Sequence, residues 1–259
     1  MTSVWRVAVR VGAEDAEALR ARFVDLAPQG FEERDVEGGI ELALYAGADV
    51  LEAVRAHLSG AAVDPVEDGW EEAWRAVHNP VEVAGLWLGP PWETPPDPSR
   101  AVVIDPGRAF GTGAHPTTRL CVELLARTES RGSLLDVGCG SGVLAIAGAR
   151  LGFRPVVALD SDPVAVATTR ENAVANAVDV TARVTDALHE PLPMADVAVV
   201  NVLLEPVGRI LARLDAGEAI TSGYRAGERP VHPGWTHVET MELDGWAADR
   251  LRRQPRPAT

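Results

Sequence analysis

The chain has 259 residues, 46% hydrophobic and 24% charged, with a formal net charge of −14 at pH 7; this is length for one large domain and a small companion with ordinary cores. The acidic balance excludes a general binder of phosphate backbones, where each contact needs a cation, and no stretch approaches the apolar length of a membrane span. Two cysteines, Cys121 and Cys139, without metal-ligand spacing exclude a disulfide framework or a zinc site and suit a reducing cytoplasm, and the first residues show no basic leader ahead of an apolar run.

Residues 4–11 alternate as a half-buried strand, and Glu14 to Leu26 carries apolar residues at helical spacing. Gly30–Val36 and Gly39–Tyr45 read as a strand pair turned at Glu37-Gly38-Gly39, Val50–Leu58 as a helix and Ala61–Val66 as a short strand. That order suits a small α+β ferredoxin-like domain. Asp68–Trp74 reads as a further short helix whose tryptophans pack a core. Residues 1–99 hold 19 acids against 7 arginines, which either steers a lysine-rich partner here or is solubility charge on a solvated face. All basic residues of the chain are arginine.

Gly89–Pro98 is too rich in proline for regular structure and is expected to link residues 1–88 to a second domain over 99–259. Beyond it, strand-like runs (Ala101–Ile104, Ser133–Val137, Pro155–Asp160, Val180–Val184, Val197–Asn201) alternate with helical ones (Pro116–Arg127, Val143–Leu151, Pro163–Ala175, Pro206–Leu214). Alternation of this kind implies an α/β, doubly wound and mostly parallel sheet, completed by strands at Glu218–Thr221, Thr236–Leu243 and Trp246–Leu251.

Two segments require backbone to approach a ligand. Leu134-Leu-Asp-Val-Gly-Cys-Gly-Ser-Gly142 is an apolar strand interrupted by Asp136, then alternating glycines, then the apolar start of a helix. In such a sheet the ligand lies beyond the carboxyl ends of the strands, so Gly138 and Gly140 would line its crevice. Asp160, ending the next strand, can accept hydrogen bonds from both hydroxyls of a ribose. A nicotinamide enzyme prefers Gly-x-Gly-x-x-Gly, and a pyrophosphate would be repelled by Asp136, whereas the ammonium of S-adenosylmethionine needs such an acceptor. The pattern points to an S-adenosylmethionine-dependent methyltransferase. A structural glycine turn with incidental acids, or a non-catalytic nucleotide-binding module, is the alternative.

Asn201, a carboxamide at a strand's carboxyl end, can accept from an incoming amine and hold its lone pair towards the methyl group. Asp186 is either an acceptor for an adenine amino group or a turn former. The second segment, Phe110-Gly-Thr-Gly-Ala-His-Pro-Thr-Thr118, joins a loop to a helix start at Pro116 and lets Thr117 and Thr118 reach the cofactor. His115 there is either a general base or a helix cap.

These segments, together with Asp68-Gly-Trp-Glu-Glu-Ala-Trp74, Pro90-Pro-Trp-Glu93, Asp105–Thr118, Asp160-Ser-Asp-Pro163, Glu171-Asn172-Ala173 and Asn201-Val-Leu-Leu204, resemble PrmA, the methyltransferase family of large-subunit ribosomal protein eleven. The resemblance covers most of the chain. It implies a substrate-recognition domain tethered to a class I catalytic domain that trimethylates lysine ε-amines and the N-terminal α-amine of that ribosomal protein, with cofactor contacts at Thr118, Gly138, Asp160 and Asn201. No nucleic acid or membrane partner is implied. One region departs from the family pattern: Ala219–Gly234 holds two prolines and three glycines where a full helix is usual, so that helix is expected to be missing. The same core acting on another protein or a small amine is the alternative enzyme reading.

Overall fold

Period-two alternation along residues 4–11 and 39–47 builds the centre of the first unit. The computed structural model describes residues 4–26, 31–47, 51–58, 60–66, 79–105, 113–129 and 131–255, and the chain divides into Met1–Val77 and His78–Thr259. In the first unit the order is β1 (Val4–Val11), α1 (Ala16–Leu26), β2 (Glu32–Val36), β3 (Gly39–Gly47), α2 (Leu51–His57) and β4 (Ala62–Pro65). The strands form one antiparallel sheet in the order β2-β3-β1-β4. Val7, Ile40, Leu42 and Leu44 pack against Leu19 and Phe23 of α1 and Leu51 and Val54 of α2, the apolar parity of the strands meeting the apolar stripe of each helix. On the opposite parity, buried Glu41 accepts from Arg6 at 2.7 Å and Arg10 at 2.6 Å. Those two guanidinium hydrogen bonds hold its carboxyl below the usual range. The helix expected at Asp68–Trp74 lies outside the described residues.

The second unit starts earlier than the proline-rich stretch. β5 (Val81–Val83) and β6 (Leu86–Gly89) form a hairpin, and β6 runs parallel to β7 (Ala101–Val103). Residues 89–98 are therefore no link between units: they form a loop closed at both ends, by Ile104 N donating to Gly89 O at 2.9 Å and by Asp97 accepting from Ser99 N at 2.9 Å. The cause is burial. Leu86 and Leu88 belong to the same core as the helices that follow, and a separate linker would strip them from it.

The main sheet follows: α3 (Pro116–Arg127), β8 (Leu134–Val137), α4 (Val143–Arg150), β9 (Val156–Asp160), α5 (Pro163–Ala175), β10 (Thr181–Val184), β11 (Ala195–Asn201), α6 (Leu204–Arg213), β12 (Ala216–Arg225), β13 (Trp235–Leu243) and β14 (Trp246–Arg253). Proline in the first turn starts α3 and α5, and Asp162 caps α5 by accepting from Val164 N at 2.8 Å. The strand order is β10-β9-β8-β11-β12-β14-β13, parallel through β12, with β14 antiparallel to both neighbours. Leu134, Val197, Val199, Ile220 and Ala248 face α3, α4 and α5; Leu135, Val137, Ala198, Val200 and Leu251 face α6.

Residues 226–234, between β12 and β13, form turns and no helix, as the composition of that stretch led us to expect. Near them, fully buried Asp249 accepts from the Tyr224 hydroxyl at 2.8 Å and meets His237 Nε2 at 3.0 Å, the Thr240 hydroxyl and Arg229. β13 ends the sheet, and its register shifts between His237 and Glu239.

Candidate active site

The carboxyl ends of β9, β8 and β11 lie side by side and carry Asp160, the glycine loop and Asn201. Gly138, Gly140 and Gly142 have φ of 76°, 53° and 82°, a region that side chains with a Cβ enter only with strain. A Cβ on Gly138 would lie 2.6 Å from Val202 Cγ1, and one on Gly142 2.8 Å from Thr169 Cγ2. The loop is pinned from two sides. Gly138 N and Cys139 N both donate to Leu159 O, at 2.8 and 3.0 Å. From α5, the Thr169 hydroxyl donates to Gly140 O and Asn172 Nδ2 to Ser141 O, each at 2.9 Å. Asn172 entered the sequence reading only through the family resemblance and Thr169 not at all; the available signal was a pair of polar residues one turn apart on a buried helix face.

Asp136 lies under the loop, fully buried. Its Oδ2 accepts from Ala145 N at 3.0 Å, while Oδ1 meets no donor among the described residues. Burial pushes its carboxyl up to about 7, the Asp160 charge adds to this, and the Ala145 N–H opposes it. Asp160 is held by backbone: Oδ2 accepts from Gly140 N at 2.9 Å and Oδ1 from Asp162 N at 3.0 Å. Each oxygen keeps a lone pair for a further donor.

Asn201 ends β11, and its Nδ2 donates to Thr117 Oγ1 at 3.2 Å. Thr117 and Thr118 are both buried in the first turn of α3; the hydroxyl that reaches Asn201 is that of Thr117. His115 is the N-cap of α3, its Nδ1 accepting from Thr117 N at 3.3 Å and lying 2.8 Å from Thr117 Oγ1. Of the two readings of this histidine, the cap is the one observed. Its ring meets the edge of Trp246 at 4.9 Å between centroids, and the Arg225 guanidinium covers that indole at 4.2 Å. Behind Asn201, Gly223 (φ 101°) sits where a Cβ would come within 1.9 Å of Val202 O, at the bulge that shifts β12 against β14. Asp186 forms a turn, accepting from Leu188 N at 2.9 Å and meeting His189 Nδ1 at 2.7 Å.

The sequence profile described as "Ribosomal protein L11 methyltransferase (PrmA)" matches residues 43–254. The chain belongs to this family. Its members include the ribosomal protein L11 methyltransferase of Azotobacter vinelandii, 40% identical over 208 residues that span 74% of this chain and 71% of that one. Another is that of Laribacter hongkongensis, 40% identical over 70% of this chain and 60% of the relative. The chain thus spans about two thirds of the length of the relatives it matches. Among solved structures, the ribosomal protein L11 methylase of Lactobacillus delbrueckii subsp. bulgaricus superimposes with a TM-score of 0.58 at 28% identity, covering 66% of this chain and 95% of that one. The second unit accordingly has the mixed α/β sheet of a class I methyltransferase. The residues present fit the PrmA cofactor, S-adenosylmethionine: buried Asp136 Oδ1, with no donor among the described residues, suits a cationic donor, the glycine loop brings bare backbone to the strand ends, and Asp160 retains acceptor capacity.

Proposed function

We propose that this PrmA-family chain methylates amines of ribosomal protein L11, at lysine ε-amino groups and the N-terminal α-amino group, as a cytoplasmic S-adenosylmethionine-dependent N-methyltransferase. The observation that carries the reading is the placement of Asp160, Asp136 and Asn201 on three adjacent strand ends, each about 5 Å from the next strand. Family membership supplies the substrate.

The cofactor, when bound, supplies an electrophilic methyl group on a sulfonium. Asp160 would hold the ribose hydroxyls, Asp136 Oδ1 the ammonium, and the Gly138–Gly142 backbone would lie against the remainder. The chain's task towards the acceptor is to present a neutral amine. A free lysine has a pKa of about 10.4 and is mostly protonated at neutral pH; an apolar crevice and a neighbouring positive charge both lower that value. While the amine still carries an N–H, in the first and second transfers, Asn201 accepts from it and orients its lone pair, so that proximity and alignment supply much of the rate. It takes no proton.

The first unit is read as a ferredoxin-like substrate-recognition domain, supported by its β2-β3-β1-β4 order with both helices joined to one core. Its acidic excess complements a lysine-rich partner. No nucleic acid or membrane is part of this reading, and among the described residues no helix is long and apolar enough to cross a membrane. The test is intact-mass analysis of purified L11 incubated with the protein and S-adenosylmethionine, with the expected result a series of methyl increments. Transfer to small amines, with L11 left unmodified, would show that the family substrate is wrong for this chain.

A further inference from the structure

The Thr117 hydroxyl stands between Asn201 Nδ2 at 3.2 Å and His115 Nδ1 at 2.8 Å, and it has one proton to give. A third contact fixes where that proton goes. The backbone N–H of Thr117 also points at His115 Nδ1, at 3.3 Å, and a backbone N–H can only donate. Nδ1 is therefore the unprotonated nitrogen of the ring, Thr117 Oγ1–H donates to it, and a lone pair on Oγ1 accepts from Asn201 Nδ2–H. With Nδ2 committed to Thr117, Oδ1 is the end of the Asn201 amide left to accept from an incoming amine.

Were His115 unable to accept, the Thr117 proton would be free to turn towards Asn201, and the amide would be free to rotate by half a turn about its last bond. Nδ2 would then face the amine, and two N–H groups cannot pair. The imidazole is kept in place by its capping role and by Trp246, which packs on it edge to face and is itself covered by Arg225. Trp246 opens β14, which pairs with β12 at Arg225, so the outer strand of the sheet buttresses the relay.

We propose that His115 is a positioning residue for methyl transfer: through the Thr117 hydroxyl it sets the polarity of the Asn201 amide and thereby selects an N–H donor as the acceptor substrate. This rests on the amine-methylating reading given above. The test compares the full-length wild type with His115→Ala, His115→Asn, Thr117→Val, Thr117→Ser and the double variant His115→Ala/Thr117→Val, measuring kcat and KM on L11, S-adenosylmethionine affinity by calorimetry, and Tm.

An asparagine can cap the helix and accept from the Thr117 hydroxyl, as histidine does. Expected results are a kcat lower by about 10–100-fold in His115→Ala and Thr117→Val, S-adenosylmethionine affinity within about twofold of wild type in His115→Ala, and recovery of most of kcat in His115→Asn and Thr117→Ser. The double variant should be no worse than Thr117→Val, because the relay runs through that hydroxyl. If His115→Ala and Thr117→Val keep kcat within twofold while the wild type methylates L11, the relay is wrong and the function stands. Equal losses in His115→Ala and a well-folded His115→Asn overturn it as well, since the acceptor would then be immaterial. A wild type that binds S-adenosylmethionine and transfers nothing to L11 overturns both the function and the relay.

Discussion

Asp136 is a carboxyl group enclosed without a counter-cation among the described residues, and its titration couples folding to the cofactor. Its carboxyl is pushed up to about 7 by burial in the folded chain, against an ordinary value of 3.8. The folded state thus binds a proton that the unfolded state has lost, and stability contributed by this group is full at acid pH and lost as pH rises through 7. Asp136→Asn should therefore melt higher than wild type at pH 8, with the gap closing towards pH 4. Added S-adenosylmethionine should stabilise wild type more than the variant at pH 8; thermal melts with and without cofactor check both. Asn201→Ala should keep Tm near wild type and lose methyl transfer to L11 even at saturating S-adenosylmethionine, because its amide acts on the acceptor amine. The glycines, Asp160 and Asn201 were legible in the sequence because each is a residue type at odds with the apolar strand it terminates. Isolation of Asp136 Oδ1 was not, nor was the choice of Thr117 over Thr118 as Asn201's partner, since both depend on which way a helix turns against a strand from another part of the chain.

Among elements, those with local punctuation were the ones sequence could bound. α3 and α5 begin at Pro116 and Pro163 and run to Arg127 and Ala175 as expected, since proline at the first turn and the Asp162 cap are written into adjacent residues. β5 and β6 carry no such marks. They have three and four residues, and what makes them part of the second unit is the pairing of β6 with β7, whose first residue lies beyond the proline-rich loop. The insertion of β14 between β12 and β13 is likewise invisible to periodicity. The bulge in β12 is a further element set by a distant neighbour: Gly223 yields to the Val202 carbonyl, directly after Asn201. Gly223→Ala should destabilise the protein by roughly 2 kcal/mol or more, from positive φ together with a backbone clash, and lower turnover beyond the stability loss. Urea unfolding and methyl-transfer rates on the folded fraction test the two parts separately.

Across the whole molecule, the division at residues 77 and 78 determines how the two activities can be separated. A chain starting at His78 keeps β5, β6 and the core residues Leu86 and Leu88; it should bind S-adenosylmethionine with wild-type affinity by calorimetry and methylate L11 far more slowly than the full chain. In the full chain, L11 methylation should weaken with added salt, since the first unit's acids would attract the substrate over a Debye length of about 8–10 Å. Full-rate, salt-insensitive methylation by the shorter chain would remove the recognition role. The region after β12 has another consequence. With turns instead of a helix between β12 and β13, the chain moves straight into its last hairpin, and β13 is the border of the seven-stranded sheet, its outer side paired with no strand among the described residues. Such a border invites a strand from another molecule. The shift in register between His237 and Glu239 breaks its straightness, so two copies meeting edge to edge would pair poorly rather than extend the sheet. That irregular edge is what keeps the catalytic sheet from becoming a seed for polymerisation.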